Sequence, residues 1–96
     1  MKAVEYYNKY YPRMVAEIQS PVVVISALFD EFFYDFHEMR KKRRIGTYAG
    51  INSLIKEFDQ KWKCMVRLFE KSGCFYINPD GFTNAISLLY NINFIK

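Results

Sequence analysis

The chain has 96 residues, 51% of them hydrophobic and 19% aromatic, with a formal net charge of +4. That length predicts one domain over residues 1–96 with a modest core, since so short a chain buries only roughly 60–65% of the surface its unfolded form exposes. It leaves no room for a second domain, and no run approaches the ~20 apolar residues that a membrane-crossing helix needs.

The first element spans 2–19. Val4, Tyr7, Tyr11, Met14 and Ile18 recur at spacings of three and four, which marks one helix face. Pro12 falls inside it, and proline removes an amide donor and crowds the preceding turn, so a kink or break is predicted there. The second element spans 21–43. Ser20 is a cap residue, and Pro21 suits the first helical position. Val22, Ile25, Phe29, Phe32, Phe36 and Met39 keep a strict 3-4 alternation, widened by Leu28 and Phe33. The run Val22-Val23-Val24-Ile25 alone would suit a strand, but the heptad continuing past it reads as helix.

Ile45-Gly46 closes the second helix and Thr47 caps the third, predicted over 48–71. Its stripe is Ile51, Ile55, Phe58, Trp62, Met65 and Phe69, which predicts Trp62 buried between the second and third helices. Glu57/Lys61 and Asp59/Lys63 stand at the favourable acid-first i,i+4 spacing. Ser72-Gly73 ends the helix. Asn78-Pro79-Asp80-Gly81 suits both a type I turn and a helix start capped by Asn78, with Ile77 and Phe82 as a hydrophobic staple. Phe82, Ala85, Ile86 and Leu89 extend a last helix to about Tyr90, and the apolar tail with Ile92, Phe94 and Ile95 is expected to dock or to pair with another chain. Short connections between long helices make them antiparallel or steeply crossed. The expected fold is all-α, a compact three- to four-helix bundle built on a long helical hairpin.

The residues that carry chemistry are sparse. The sole histidine, His37, has no identifiable nucleophile or second acid/base group beside it in sequence, and reads as structural or surface. Cys64 and Cys74 form no CxxC, and one histidine with two cysteines cannot complete a four-ligand zinc site within one chain. Cys64 lies beside the apolar stripe and is expected to fill the core. The glycines are too scattered for a phosphate loop, and Asp30, Glu31, Asp35 and Glu38 read as a solvated acidic face rather than a metal site. No catalytic residue, metal ligand or cofactor is therefore assigned, and the chain is read as a binding protein and not an enzyme. With no apolar leader at 1–6, the expectation is a soluble cytoplasmic protein with reduced thiols.

The sharpest feature is the basic run Arg40, Lys41, Lys42, Arg43 and Arg44. Outside it, nine Lys/Arg face ten Asp/Glu, so the whole basic excess is local. Such a run docks on an acidic protein surface or contacts phosphates, and equally suits a solvated helix end that complements the helix dipole. The second and third helices have the outline of a helix-turn-helix, but both are longer than that motif needs. Gly50 and Ile51 also stand where a recognition helix presents polar groups. Tyr6 and Tyr10 fall beside the predicted core stripe; core or rim packing is the first explanation, and the other makes them exposed contact residues for a partner.

The stretch Ile55-Lys56-Glu57-Phe58-Asp59-Gln60-Lys61-Trp62, with Arg67-Leu68-Phe69-Glu70 and then Ile77, Asp80-Gly81-Phe82, resembles short uncharacterised proteins of bacteriophages and prophages. The resemblance covers about a third of the chain and implies a mobile-element origin and an adaptor or inhibitor that binds one component. It assigns no residue a role. The resulting expectation is a helical protein-binding module that meets an acidic partner through Arg40 to Arg44, Tyr6 and Tyr10, and that self-associates through surplus aromatic and aliphatic surface. The alternative is a nucleic-acid-binding protein that uses the basic run with Lys/Arg of the third helix.

Overall fold

A computed structural model describes residues 1–16, 20–73 and 76–90, with the side chain of Tyr90 outside that set. The helices are α1 (Ala3–Val15), α2 (Pro21–Lys42), α3 (Tyr48–Lys71) and α4 (Gly81–Tyr90), and the described residues contain no strand. The all-α bundle on a long hairpin is therefore the observed architecture. Tyr6 meets Asp35 while Tyr10 meets Glu31, so α1 runs antiparallel to α2. Phe32 packs on Trp62 and Phe36 on Phe58, so α2 and α3 are antiparallel as well.

α3 follows its sequence pattern: Ile51, Ile55, Phe58, Trp62, Met65 and Phe69 are all buried, joined by Leu54 and Val66. The Thr47 hydroxyl accepts a bond from the Gly50 amide at 3.1 Å and satisfies one orphan N–H of the first turn. Gly73 takes φ +73° just past the helix end, a conformation glycine adopts without a Cβ penalty. Trp62 is buried as expected: its ring stands edge-on to Phe29 and Phe32, and its indole N–H donates to the Asn78 carbonyl at 2.9 Å.

α2 buries a stripe centred elsewhere. Val24, Leu28, Phe32 and Phe36 are fully buried, while Ile25, Phe29, Phe33 and Met39 are half-buried and Val22 and Val23 are exposed. The shift arises because α2 packs on three sides, against α1, α3 and α4, so its innermost row is an i,i+4 line and not the edge of the heptad. Pro21 occupies the first turn as expected, but the Ser20 side chain makes no capping bond.

α1 departs furthest. Its buried row is Tyr6, Tyr10 and Met14; Tyr7 and Tyr11 flank it, and Val4 is exposed. Tyr6 and Tyr10 are thus core residues and not rim contacts. Their hydroxyls reach Asp35 and Glu31 of α2, which is what lets a phenol be buried without an orphaned polar group. Pro12 does not break the helix, which runs to Val15, with the Ala16 amide bonded to the Pro12 carbonyl at 3.1 Å. Proline withholds the one amide that would bond the Asn8 carbonyl in the preceding turn, and the buried row Tyr6, Tyr10 and Met14 holds the helix across that gap. Ile18 lies outside the described residues.

The Asn78 region resolves as a turn that feeds a helix. The Gly81 amide donates to the Asn78 carbonyl at 3.0 Å, and Asn78 Oδ1 accepts from the Asp80 amide at 3.0 Å. The helix begins at Gly81, so Asn78 is the first residue of the turn and not the helix cap. Ile77 and Phe82 are buried on either side of that turn, whereas Leu88 and Leu89 are exposed and Ala85 is half-buried. The tail at 91–96 lies outside the described residues.

Phe32 sits where the layers meet, with ring centroids 5.3 Å from Tyr6, 5.5 Å from Phe58, 5.1 Å from Trp62 and 5.1 Å from Phe82. Phe32→Ala is expected to cost ~3–5 kcal/mol, the usual range for a large aromatic truncated in a core. Urea unfolding followed by circular dichroism measures it, and a loss below about 1 kcal/mol would contradict this packing.

Candidate partner-binding site

The basic run straddles the end of α2, and its backbone decides where each cation points. α2 ends at Lys42, Arg43 is the helical C-cap, and Arg44 takes a left-handed φ of 53°. The Ile45 amide donates to the Arg40 carbonyl and the Arg44 amide to the Lys41 carbonyl, both at 3.1 Å. Those two bonds define a Schellman close, in which the left-handed position is usually glycine. Here an arginine occupies it, at a cost for an L-residue of roughly 1–2 kcal/mol.

The five cations are exposed except for Arg40, which is half-buried and whose Nε donates to the Ile45 carbonyl at 3.3 Å. Arg43 crosses the hairpin mouth to Glu57 of α3, with N···O distances of 2.7 and 3.3 Å. Glu57 therefore pairs with Arg43 and not with Lys61, whose ammonium lies 4.4 Å from the Phe58 ring centroid. The Asp59–Lys63 pair forms as expected at 3.0 Å, although Asp59 Oδ1 is buried without a hydrogen-bond partner. Lys41 stands 3.7 Å from Glu38. Lys42 and Arg44 make no ion pair with the described residues.

Glu38 and Lys41 form a ridge between two open recesses. One, about 580 Å³, is walled by Tyr34, His37, Arg40, Arg44 and Ile45. The other, about 530 Å³, is walled by Met1, Asp35, Met39, Lys42, Phe58 and Lys61. The pKa of His37 is lowered from its ordinary value, first by burial and then by the charges of Arg40 and Lys41. The sequence places His37 next to the basic run but does not reveal that it shares a recess with Arg44, because only the turn brings Arg44 back alongside the helix. A further cleft of about 380 Å³ lies between α3 and residues 76–79, lined by Lys63, Val66, Arg67, Glu70, Tyr76, Ile77 and Pro79. Sequence reasoning missed it, and its one visible signal is the exposed Tyr76.

The other two proposed contact residues, Tyr6 and Tyr10, are buried and do not join the basic end. Burial and the hydrogen bond to Asp35 hold the Tyr6 phenol well above the usual range, and burial with the Glu31 bond pushes Tyr10 up to about 12. Lys9 completes this belt, bonding both Glu31 oxygens at 2.8 and 2.9 Å. Cys64 is an exposed free thiol and does not fill the core; Cys74 lies outside the described residues. Among the described residues no three His, Cys, Asp or Glu side chains gather into a metal-holding group. No described helix is long and apolar enough to cross a membrane.

No family model, curated protein or solved structure matches the chain.

Arg44→Gly should stabilise the fold by about 1 kcal/mol by relieving the left-handed arginine. Chemical denaturation tests it, and a destabilised variant would show that the Arg44 side chain holds the turn. The belt on α2 sets a pH dependence. Burial of Glu31 pushes its pKa up, but the Lys9 and Tyr10 hydrogen bonds outweigh that and leave it below its ordinary 4.5. A carboxylate depressed in the fold stabilises above its unfolded pKa, and that contribution is lost as pH falls through the folded value. Wild-type stability should therefore drop below about pH 4.5, and Glu31→Gln should show a shallower drop in urea midpoints measured from pH 7 to pH 3.

Proposed function

We propose that this chain is a small non-catalytic helical binding protein, an adaptor or inhibitor of bacteriophage or prophage type. It acts in the cytoplasm through contacts with an acidic protein surface. The contact face is the basic end of the hairpin, Arg40 to Arg44, with Tyr34 and Tyr48 exposed beside it. The single observation that carries this reading is Arg44. A helix end that only needed closing would take glycine in the left-handed position, whereas this chain keeps an exposed cation there against the backbone's preference.

A protein partner suits the face better than a nucleic acid. Glu38 and Glu57 stand among the cations and hold Lys41 and Arg43, so carboxylates face any approaching phosphate backbone. Arginine with exposed tyrosine is the composition favoured at the centre of protein interfaces. The exposed apolar residues Val22, Val23, Leu88 and Leu89 lie elsewhere and support self-association as part of the same proposal.

The test replaces Arg40, Lys41, Lys42, Arg43 and Arg44 together with glutamine and confirms unchanged helicity. Immobilised wild-type protein should retain one acidic protein from a nuclease-treated lysate of the native host, and the variant should lose it. Duplex DNA is titrated in parallel. Tight DNA binding whose log K falls with log salt at a slope of about −4.5, from −0.9 per phosphate contact, would instead establish the nucleic-acid reading. Equal retention by both proteins would reduce the run to a solvated helix end.

A further inference from the structure

The described residues that line the recess on the Tyr34 side of the ridge come from one stretch of chain, 34–45. Tyr34, His37 and Lys41 lie at i, i+3 and i+7 and so share a face of α2. The left-handed Arg44 then reverses the backbone and returns Arg44 and Ile45 to that face. Two bonds lock the return: the Ile45 amide to the Arg40 carbonyl at 3.1 Å, and Arg40 Nε to the Ile45 carbonyl at 3.3 Å. The result is a concave site lined by the cations Arg40, Lys41 and Arg44, the His37 imidazole and the Glu38 carboxylate, with Tyr34 and Ile45 as its apolar members.

We propose that this recess is the subsite for one acidic residue of the protein partner, a glutamate or aspartate followed by a bulky apolar residue. The inference rests on the basic-end reading above and deepens it. The carboxylate sits among His37, Arg40 and Arg44, and the apolar neighbour packs on Tyr34 and Ile45. A planar guanidinium with N–H donors along its edges suits a planar carboxylate, and Arg40 is already oriented by its bond to the turn. Glu38 lines the recess 3.7 Å from Lys41, so that pair is already matched and a multiply charged backbone would meet a carboxylate there.

Binding there is coupled to a proton. Among the described residues, the charged and titratable groups that line the recess with His37 are Tyr34, Glu38, Arg40 and Lys41 of α2 and Arg44 of the turn. Its flanks are the rings of Phe33 and Phe36, and α4, which packs on those rings through Phe82, carries no ionisable side chain over 81–89. In the free protein, burial and the neighbouring cations favour neutral imidazole. A carboxylate seated between His37 and Arg44 reverses that balance, so the imidazole takes up a proton as the acidic residue binds. Uptake of one proton strengthens binding by at most tenfold per pH unit, and about three- to tenfold tighter binding is expected at pH 6 than at pH 8.

The experiment titrates isotopically labelled full-length protein with a capped peptide of alternating glutamate and phenylalanine. Its glutamine counterpart, inorganic phosphate and a duplex oligonucleotide are run beside it. The expected result is saturable shifts at the His37 imidazole and the Arg44 amide with the glutamate peptide and not with the glutamine peptide. An upward move of the His37 titration midpoint in the complex and an affinity that rises from pH 8 to pH 6 should accompany them. His37→Gln should abolish the rise in affinity between pH 8 and pH 6. No saturable shift at these residues with millimolar peptide overturns the subsite, as does a pH response that survives His37→Gln or a stronger response to phosphate or duplex. If the subsite fails while the five-glutamine variant still loses the captured host protein, the basic end stands as the contact face without this pocket. If both fail, the functional reading falls with it.

Discussion

The fold depends on one ring. Phe32, near the middle of α2, touches Tyr6 of α1, Phe58 and Trp62 of α3 and Phe82 of α4, all in tilted or edge-on geometry. Such contacts add ~0.5–1.5 kcal/mol per pair to the area buried. α1 and α4 share no described Cα pair within 8 Å, yet both reach this ring, α1 through Tyr6 and α4 through Phe82. A side chain of another shape at position 32 would have to satisfy both covers at once.

The same constraint explains how so short a chain accommodates so many aromatics. Phenylalanines fill the interior, and the buried tyrosines are those whose hydroxyls reach an acidic residue of α2. Asp35 and Glu31 therefore do two jobs. They fix the register of α1 on α2, and they spare the core an unsatisfied phenol. Tyr7 and Tyr11 are half-buried at the edge of the core, and Tyr34, Tyr48 and Tyr76 take the surface, where an amphipathic ring costs least.

α3 was legible because one of its faces is apolar and the other charged, and a periodic pattern then has a single solution. α1 was not, because Val4, Tyr7 and Tyr11 look as apolar as Tyr6, Tyr10 and Met14. What separates them is a pair of carboxylates 29 and 21 positions away. From Val22 to Phe36 of α2 every position but Ser26 and the acidic ones is apolar, so the letters fix the helix but not which row is innermost; packing on three sides decides that. Exposed Cys64 reflects the same limit, since a residue beside a stripe turns in or out with a small rotation of the helix. At the basic end the charges were plain in the sequence. Their geometry was not: the left-handed arginine, the Arg43–Glu57 bridge and the recess at His37 all follow from how the turn closes.

The chain has one tryptophan, and its indole N–H is tied to a carbonyl outside its own helix. That bond joins α3 to the turn at Asn78, while the ring packs in T-shaped geometry against Phe29 and Phe32 of α2. The indole is therefore a built-in reporter with two separable channels. Exchange of its N–H follows the seating of the turn that leads into α4, and its emission wavelength follows the opening of the α2–α3 core. If α4 lifts away before the hairpin parts, the first signal changes while the second stays still, so local opening of the cover is distinguishable from loss of the fold without adding any label.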